Sequence, residues 1–123
     1  MRILGIDPGF DRLGIAILEK EQGKETLLYS DCFETNKKKT FSERLFALAN
    51  ELERVIKEFA PTHTASEKLF FAKNQKTAID VAGARGVILY MSQKHNLPLF
   101  EYSPPEIKTA VTGYGKSDKK QVT

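Results

Sequence analysis

Two carboxylates stand at the ends of short apolar runs, far apart along the chain, and are the residues best placed to do chemistry. Asp7 closes an apolar run, and Pro8 and Gly9 force a turn directly after it. Glu67 closes a later run that is rich in threonine and alanine. A carboxylate in such a place is costly to bury unless it is paired, hydrogen-bonded or bound to a metal. Asp7 could equally cap the turn, and residue type alone leaves both interpretations open.

If the two carboxylates meet, they form an oxygen-rich site in which each repels the other until a proton or a cation neutralises them. Oxygen ligands suit Mg²⁺ or Mn²⁺, whereas zinc prefers a cluster of cysteine and histidine ligands. His63 and His95 are isolated from each other, and Cys32 is the single cysteine. Two hard ions bridged by carboxylates are a recurrent device for phosphodiester cleavage. We therefore expect a divalent-metal site and no zinc site.

The hydrophobic pattern predicts the elements that must position these carboxylates. Three short strands with tight turns between them indicate an antiparallel meander. Apolar residues at three- and four-residue spacing then predict a long helix that Thr40 or Ser42 can cap and that ends before Pro61. The predicted strands cover residues 2–7, 12–19, 26–35, 62–67 and 99–102, and the further helices cover 75–94, 105–112 and the residues from Ser117 onward.

After the meander the strands alternate with helices, which implies parallel pairing through right-handed crossovers. The sequence therefore predicts an α/β fold with a mixed five-stranded sheet flanked by helices. In such a sheet the first and fourth strands can lie side by side. Asp7 and Glu67 would then stand at adjacent strand ends, on the same edge of the sheet.

Length, composition and net charge indicate the class of protein but do not identify a binding partner. The chain has 123 residues, 41% hydrophobic and 28% charged, which suits one domain over 1–123. Its net charge of +3 does not by itself establish nucleic-acid binding. One cysteine excludes an intramolecular disulfide and favours a reducing compartment. No signal-peptide pattern and no apolar run of bilayer length is present, so we expect a cytoplasmic protein with no membrane partner.

Four motifs, in order along essentially the whole chain, resemble those of the RuvC-type Holliday-junction resolvases. The opening motif alone is weak, because sugar-kinase-like and other nuclease-like folds share a strand, an aspartate and a glycine. The ordered combination is specific to the family. The motifs are Ile3 to Gly9, Glu67 to Asn74, Ala84 to Val87, and Lys108 to Gly115 with Lys119, Gln121 and Val122 after it.

The resemblance implies an RNase H-like fold and a homodimer that binds four-way junction DNA. It further implies symmetric, Mg²⁺-dependent nicking in recombination and repair, with Mn²⁺ as a possible substitute and two ions in the complete site. Asp7 and Glu67 match the family's first two catalytic, metal-binding carboxylates. A bacterial cytoplasmic location and a branch-migration helicase partner are implied as well.

The resemblance also marks residues for DNA binding and dimer contact. Phe70 matches an aromatic residue near the junction strands, and Lys108 and Lys119 match basic residues beside the active site. The second long helix would carry the dimer contact, because its small residues permit close helix approach. The small residues are Ala82, Gly83, Ala84 and Gly86, and the expected DNA-binding set is completed by Lys73, Asn74, Lys116 and Lys120.

One departure from the family pattern concerns the rest of the metal site. The family completes it with two further ligands on a C-terminal helix beyond the Gln121-Val122 match, and this chain stops at Thr123. We therefore expect a C-terminally truncated form that folds without cleaving junctions, whereas its full-length parent is the nuclease. The alternatives are an inactive junction-binding module, an RNase H-like nuclease acting on ribosomal RNA precursors, and a sugar-kinase-like phosphotransferase, which would need a second domain.

Overall fold

The computed structural model describes residues 1–67 and 75–102. The predicted helices over 105–112 and from Ser117 onward lie outside these residues. Within them, five strands and two helices follow the predicted order. They are β1 (Arg2–Asp7), β2 (Arg12–Glu21), β3 (Lys24–Glu34), α1 (Phe41–Phe59), β4 (His63–Glu67), α2 (Gln75–Lys94) and β5 (Leu99–Tyr102).

The strands form one mixed sheet in the order β3-β2-β1-β4-β5. The first three strands pair antiparallel, as a meander. β1 then pairs with β4, and β4 with β5, in parallel. This topology confirms the predicted RNase H-like sheet, including the neighbouring positions of its first and fourth strands.

The β2–β3 hairpin is longer than the apolar pattern predicted. The strands extend to Glu21 and begin again at Lys24, so that only two residues form the turn. Both turn residues have positive φ, 50° at Gln22 and 78° at Gly23. Two successive positive φ values match the right-handed twist of a hairpin. The polar residues that were assigned to a loop are therefore paired in the sheet.

Helix α1 begins with a capping box in which Thr40, not Ser42, is the N-cap. The Glu43 backbone N–H donates to the Thr40 hydroxyl at 3.2 Å, and the Thr40 N–H donates to the Glu43 carboxylate at 3.0 Å. These two bonds satisfy amide groups that have no partner within the helix. The helix ends at Ala60 in the left-handed conformation, directly before Pro61.

The apolar core of the described residues lies between one face of the sheet and helices α1 and α2. In β1, Leu4 and Ile6 are buried while the alternate residues are not, so one face of the strand points toward the helices. Helix α1 covers this face with Leu52 and Val55, and α2 covers it with Ile88. Asp7 follows Ile6 and therefore belongs to the opposite face of the sheet.

Neither α1 nor α2, the two helices of the described residues, combines the length and the apolar character that a membrane-spanning helix needs. Cys32 lies in β3, within the predicted third strand, and is exposed.

Candidate metal centre

Asp7 and Glu67 stand next to each other at the ends of two neighbouring parallel strands. The β1–β4 register pairs Ile6 with Ser66, and each carboxylate is the residue that follows. Ile6 and Ser66 are buried on the helix side, so Asp7 and Glu67 lie on the other face of the sheet. The structure therefore brings together the two carboxylates that the sequence analysis singled out.

The electrostatics of the pair favour a bound proton or cation. Partial burial of Glu67 raises the pKa of its carboxyl group above the ordinary value of 4.5. The neighbouring charge of Asp7 and a hydrogen bond between the two carboxyls raise this pKa further. All three effects oppose a second negative charge in this place. A divalent cation bound between the two carboxylates would remove the same penalty.

Gly14 leaves space beside the Asp7 side chain. The two residues face each other across the β1–β2 ladder. A Cβ on Gly14 would come within 3.1 Å of the Asp7 Cβ and 3.9 Å of its Oδ2. The sequence analysis did not assign this role to Gly14, because it depends on the register of two strands.

The donor set of the pair fits a hard divalent cation. Two adjacent carboxylates offer only oxygen ligands, which Mg²⁺ and Mn²⁺ prefer. Across residues 1–67 and 75–102, no group of three or more acidic, histidine or cysteine side chains could hold a metal. The candidate centre in the described part of the chain consequently consists of these two carboxylates.

The two histidines take part in other contacts. His63 lies at the opposite end of β4 from Glu67, where its ring stacks on Phe100 with centroids 6.1 Å apart. The Nε2 atom of His95 lies 3.9 Å from a carboxylate oxygen of Glu53 on α1. Among the described residues, neither histidine is part of a group of three or more side chains that could hold a metal.

Sequence reasoning missed Arg44 and Thr35, which contact the turn after Asp7. Arg44 occupies the first turns of an amphipathic helix, where an arginine usually reaches solvent. Its side chain is nevertheless only 12% exposed and forms an ion pair with Asp11. No local signal distinguishes such an arginine, because its partners come from other parts of the chain.

The expected DNA-binding residues lie outside the described residues. This applies to every member of the set, namely Phe70, Lys73, Asn74, Lys108, Lys116, Lys119 and Lys120. Their proposed role stays a prediction.

The assignment of all four small residues of α2 to a dimer contact is wrong for two of them. Ala84 is only 1% exposed and belongs to the core of its own chain. Gly83 faces α1, because a Cβ there would lie 2.7 Å from the Phe41 ring. The outward face of α2 instead combines Ala82 and Gly86 with larger apolar residues. These are Ile79, Leu89 and Tyr90, which are 65%, 37% and 62% exposed.

Comparison with known proteins gives consistent matches. A family model described as crossover junction endodeoxyribonuclease RuvC matches residues 3–123. The protein of that name from Thermosipho melanesiensis is 46% identical over 122 residues, which cover 99% of this chain and 78% of the relative. Its counterpart from Petrotoga mobilis is 44% identical over 122 residues, covering 99% and 75%. The solved structure of T. thermophilus RuvC in complex with Holliday junction substrate has a TM-score of 0.82 at 28% identity, covering 90% of this chain and 71% of that chain.

Proposed function

This chain belongs to the RuvC family of crossover junction endodeoxyribonucleases and is a Holliday-junction-resolving endonuclease, and we propose that Asp7 and Glu67 form part of its catalytic metal site. The observation that carries this proposal is the parallel β1–β4 register, which sets both carboxylates at adjacent strand ends. Their common face is opposite to the one that the described helices cover. A DNA strand can therefore approach the pair without displacing those helices.

The chain's own residues supply a rigid, negatively charged receptor for the metal. β1 and β4 are hydrogen-bonded to each other in the interior of the sheet, so their two ends keep a fixed separation. The raised pKa of Glu67 reflects its partial burial first and repulsion by Asp7 second, and a bound cation would offset both. The space at Gly14 lets the Asp7 carboxylate keep its position beside β2.

Divalent-metal dependence is a general property of nucleases of this type. For this chain we propose Mg²⁺ as the ion, with Mn²⁺ able to replace it and two ions in the complete site. When bound, such ions activate the attacking water and stabilise the leaving oxygen of the phosphodiester. The role of Asp7 and Glu67 is to hold and orient them.

The substrate we propose is four-way junction DNA, nicked symmetrically in two strands of like polarity during recombination and repair. Among solved structures, the T. thermophilus relative is recorded in complex with a Holliday junction. The proposed DNA contacts are those of Phe70, Lys73, Asn74, Lys108, Lys116, Lys119 and Lys120. We place these residues in one nuclease domain over residues 1–123, in the bacterial cytoplasm.

We propose that the protein works as a homodimer, because two symmetric nicks require two active sites. The exposed apolar face of α2 supports this assignment, since Ile79, Leu89 and Tyr90 lie on it beside Ala82 and Gly86. Small residues on such a face allow two helices to approach closely. A branch-migration helicase complex is a further proposed partner.

The decisive experiment compares junction cleavage and junction binding in carboxylate variants of the full-length protein, the form for which we expect nuclease activity. Asp7→Asn and Glu67→Gln keep the shape of each side chain and remove its charge. Loss of an outer partner of a metal ligand already costs about 10–100-fold, so loss of a ligand should reduce cleavage by more than about 100-fold. Junction binding without divalent ions should persist in both variants.

Glu34→Gln is the matched control, because Glu34 is an exposed carboxylate at the same edge of the sheet, 3.5 Å from Arg12. It should cleave at the wild-type rate. Wild-type cleavage by Asp7→Asn would show that Asp7 is not a metal ligand. Equal losses in all three variants would mean that only the overall charge of this edge matters.

A further inference from the structure

The turn that follows Asp7 is held at its far end by residues from two other elements. Pro8 restricts the backbone at the start of the turn. Gly9 is required for its shape, because a Cβ there would overlap the backbone carbonyl oxygen of Arg12. The direction in which the chain leaves Asp7 therefore depends on where Phe10 and Asp11 are fixed.

Thr35, directly after β3, makes the first of these contacts. Its backbone N–H donates to the Asp11 carbonyl at 3.0 Å, and its hydroxyl donates to the Phe10 carbonyl at 2.9 Å. The residue is 7% exposed, so both bonds are shielded from water. They tie the turn to the end of the β2–β3 hairpin.

Arg44 adds a second connection, from α1. Its Nη2 donates to the Asp11 carboxylate at 2.5 Å and to the Thr35 hydroxyl at 2.8 Å, while its Nε donates to the same hydroxyl at 3.0 Å. The Thr35 hydroxyl, with one proton and two lone pairs, thereby uses all of its hydrogen-bonding capacity. The guanidinium carbon also lies 4.1 Å from the centroid of the Phe10 ring.

We propose that Arg44 is a positioning residue for junction cleavage, which fixes the Asp7 carboxylate by holding the Phe10–Asp11 end of the turn against α1. The inference rests on the proposed role of Asp7 as a metal ligand. The planar guanidinium can donate to two acceptors and stack on a ring at the same time, which a lysine ammonium cannot do. Arg44 acts only through the turn and has no part in the chemistry itself.

The test separates positioning from a contribution to folding. Arg44→Lys and Asp11→Asn are titrated with Mn²⁺, and the midpoint is read from the rise in unfolding temperature and, independently, from junction cleavage. A direct hydrogen-bond partner of a metal ligand changes metal affinity by about 10–100-fold. Arg44 acts on Asp7 only through the turn, so Arg44→Lys should raise both midpoints by no more than about tenfold. The KM for the junction should not change, and saturating Mn²⁺ should restore kcat. Asp11→Asn should shift both midpoints in the same direction by a smaller factor.

Arg2→Lys is the matched control at the opposite end of β1. Arg2 also connects the sheet to α1, because it donates to the Phe59 carbonyl at 2.5 Å, and it donates to the Glu19 carboxylate of β2 at 3.1 Å. The variant Arg2→Lys should lower the unfolding temperature without moving the Mn²⁺ midpoints. Equal midpoints in Arg44→Lys and Arg2→Lys would overturn the proposal.

Separate variants cover two cases: Arg44→Lys does not fold, or the metal site itself is wrongly assigned. If Arg44→Lys fails to fold, Asp11→Asn decides, since the Asp11 side chain is 57% exposed and its loss leaves the core intact. An unchanged Mn²⁺ midpoint in Asp11→Asn then refutes the role of the contact. Asp7→Asn tests the metal site itself, so its result distinguishes a wrong site from a wrong positioning residue.

Discussion

Gly14→Ala should damage the metal site through one added methyl group. Gly14 faces Asp7 across the β1–β2 ladder, and the new Cβ would lie 3.1 Å from the Asp7 Cβ. Carbon atoms in contact normally stay about 3.5–4.0 Å apart, so the two atoms must separate by roughly half an ångström. The φ angle of Gly14 is not positive, which makes the effect steric and not a matter of backbone conformation.

The expected loss follows from how sharply catalysis depends on position. A misplacement of about 1 Å can cost about 100-fold in rate, so a shift of about half that size corresponds to about tenfold. The change in the free energy of unfolding is the sum of two opposing contributions. Alanine restricts the unfolded chain, which stabilises by about 0.4–1 kcal/mol, whereas the added atom costs about 1–3 kcal/mol of overpacking. The free energy of unfolding should therefore fall by no more than about 2.5 kcal/mol.

Gly5→Ala is the matched control for this variant. Gly5 lies two residues before Asp7 on the same face of β1. Among residues 1–67 and 75–102, a Cβ there would meet only the Ala16 carbonyl, at an ordinary 3.8 Å. Junction cleavage and the Mn²⁺-induced rise in unfolding temperature are measured for both variants. Wild-type cleavage and Mn²⁺ affinity in Gly14→Ala, or an equal loss in Gly5→Ala, would refute the reasoning.

Three further predictions address pH, assembly and DNA contacts. The pKa of Glu67 is raised in the folded protein, so between pH 4.5 and that raised pKa its carboxyl group binds more protons in the native state than in the unfolded chain. Without divalent ions, the unfolding temperature should therefore fall as the pH rises through this window, and Mn²⁺ should reduce the fall. A pH-independent unfolding temperature would contradict the raised pKa. Tyr90→Arg on the exposed face of α2 should produce monomers in analytical ultracentrifugation, whereas Thr26→Arg on β3 should not, and an unchanged dimer would exclude this face. Each phosphate contact contributes about 0.9 to the slope of log affinity against log salt, so replacing Lys119 and Lys120 with alanine should flatten the slope by about 1.8, and an unchanged slope would mean that neither lysine binds phosphate.

Elements with strong local signals were predicted closely. The bounds of β1, α2 and β5 agree with the sequence prediction, because apolar runs and periodicity end at turn residues such as Pro8, Asn96 and Pro98. The N-cap of α1 was narrowed to Thr40 or Ser42, and the capping box with Glu43 selects the first. The length of the hairpin between β2 and β3 was underestimated, because backbone pairing between the strands, and not burial of apolar side chains, stabilises its polar end.

The orientation of α2 could not be read from its composition. Its row of small residues suggested one contact surface, yet Gly83 and Ala84 face inward while Ala82 and Gly86 face outward. A helix turns about 100° per residue, so neighbouring small residues point in different directions. Which direction is buried depends on where the sheet and α1 lie.

The sequence by itself determined that two carboxylates end two strands, and that an alternating strand and helix order can make those strands neighbours. These features follow from local periodicity and from general rules of chain connection. Only the tertiary structure decided that Glu67 is partly buried against Asp7, that Gly14 makes room beside it, and that Arg44 braces the following turn. Burial, clearance and ion pairing are set by side chains that are distant in sequence, and they take definite values only when the strands and helices pack together.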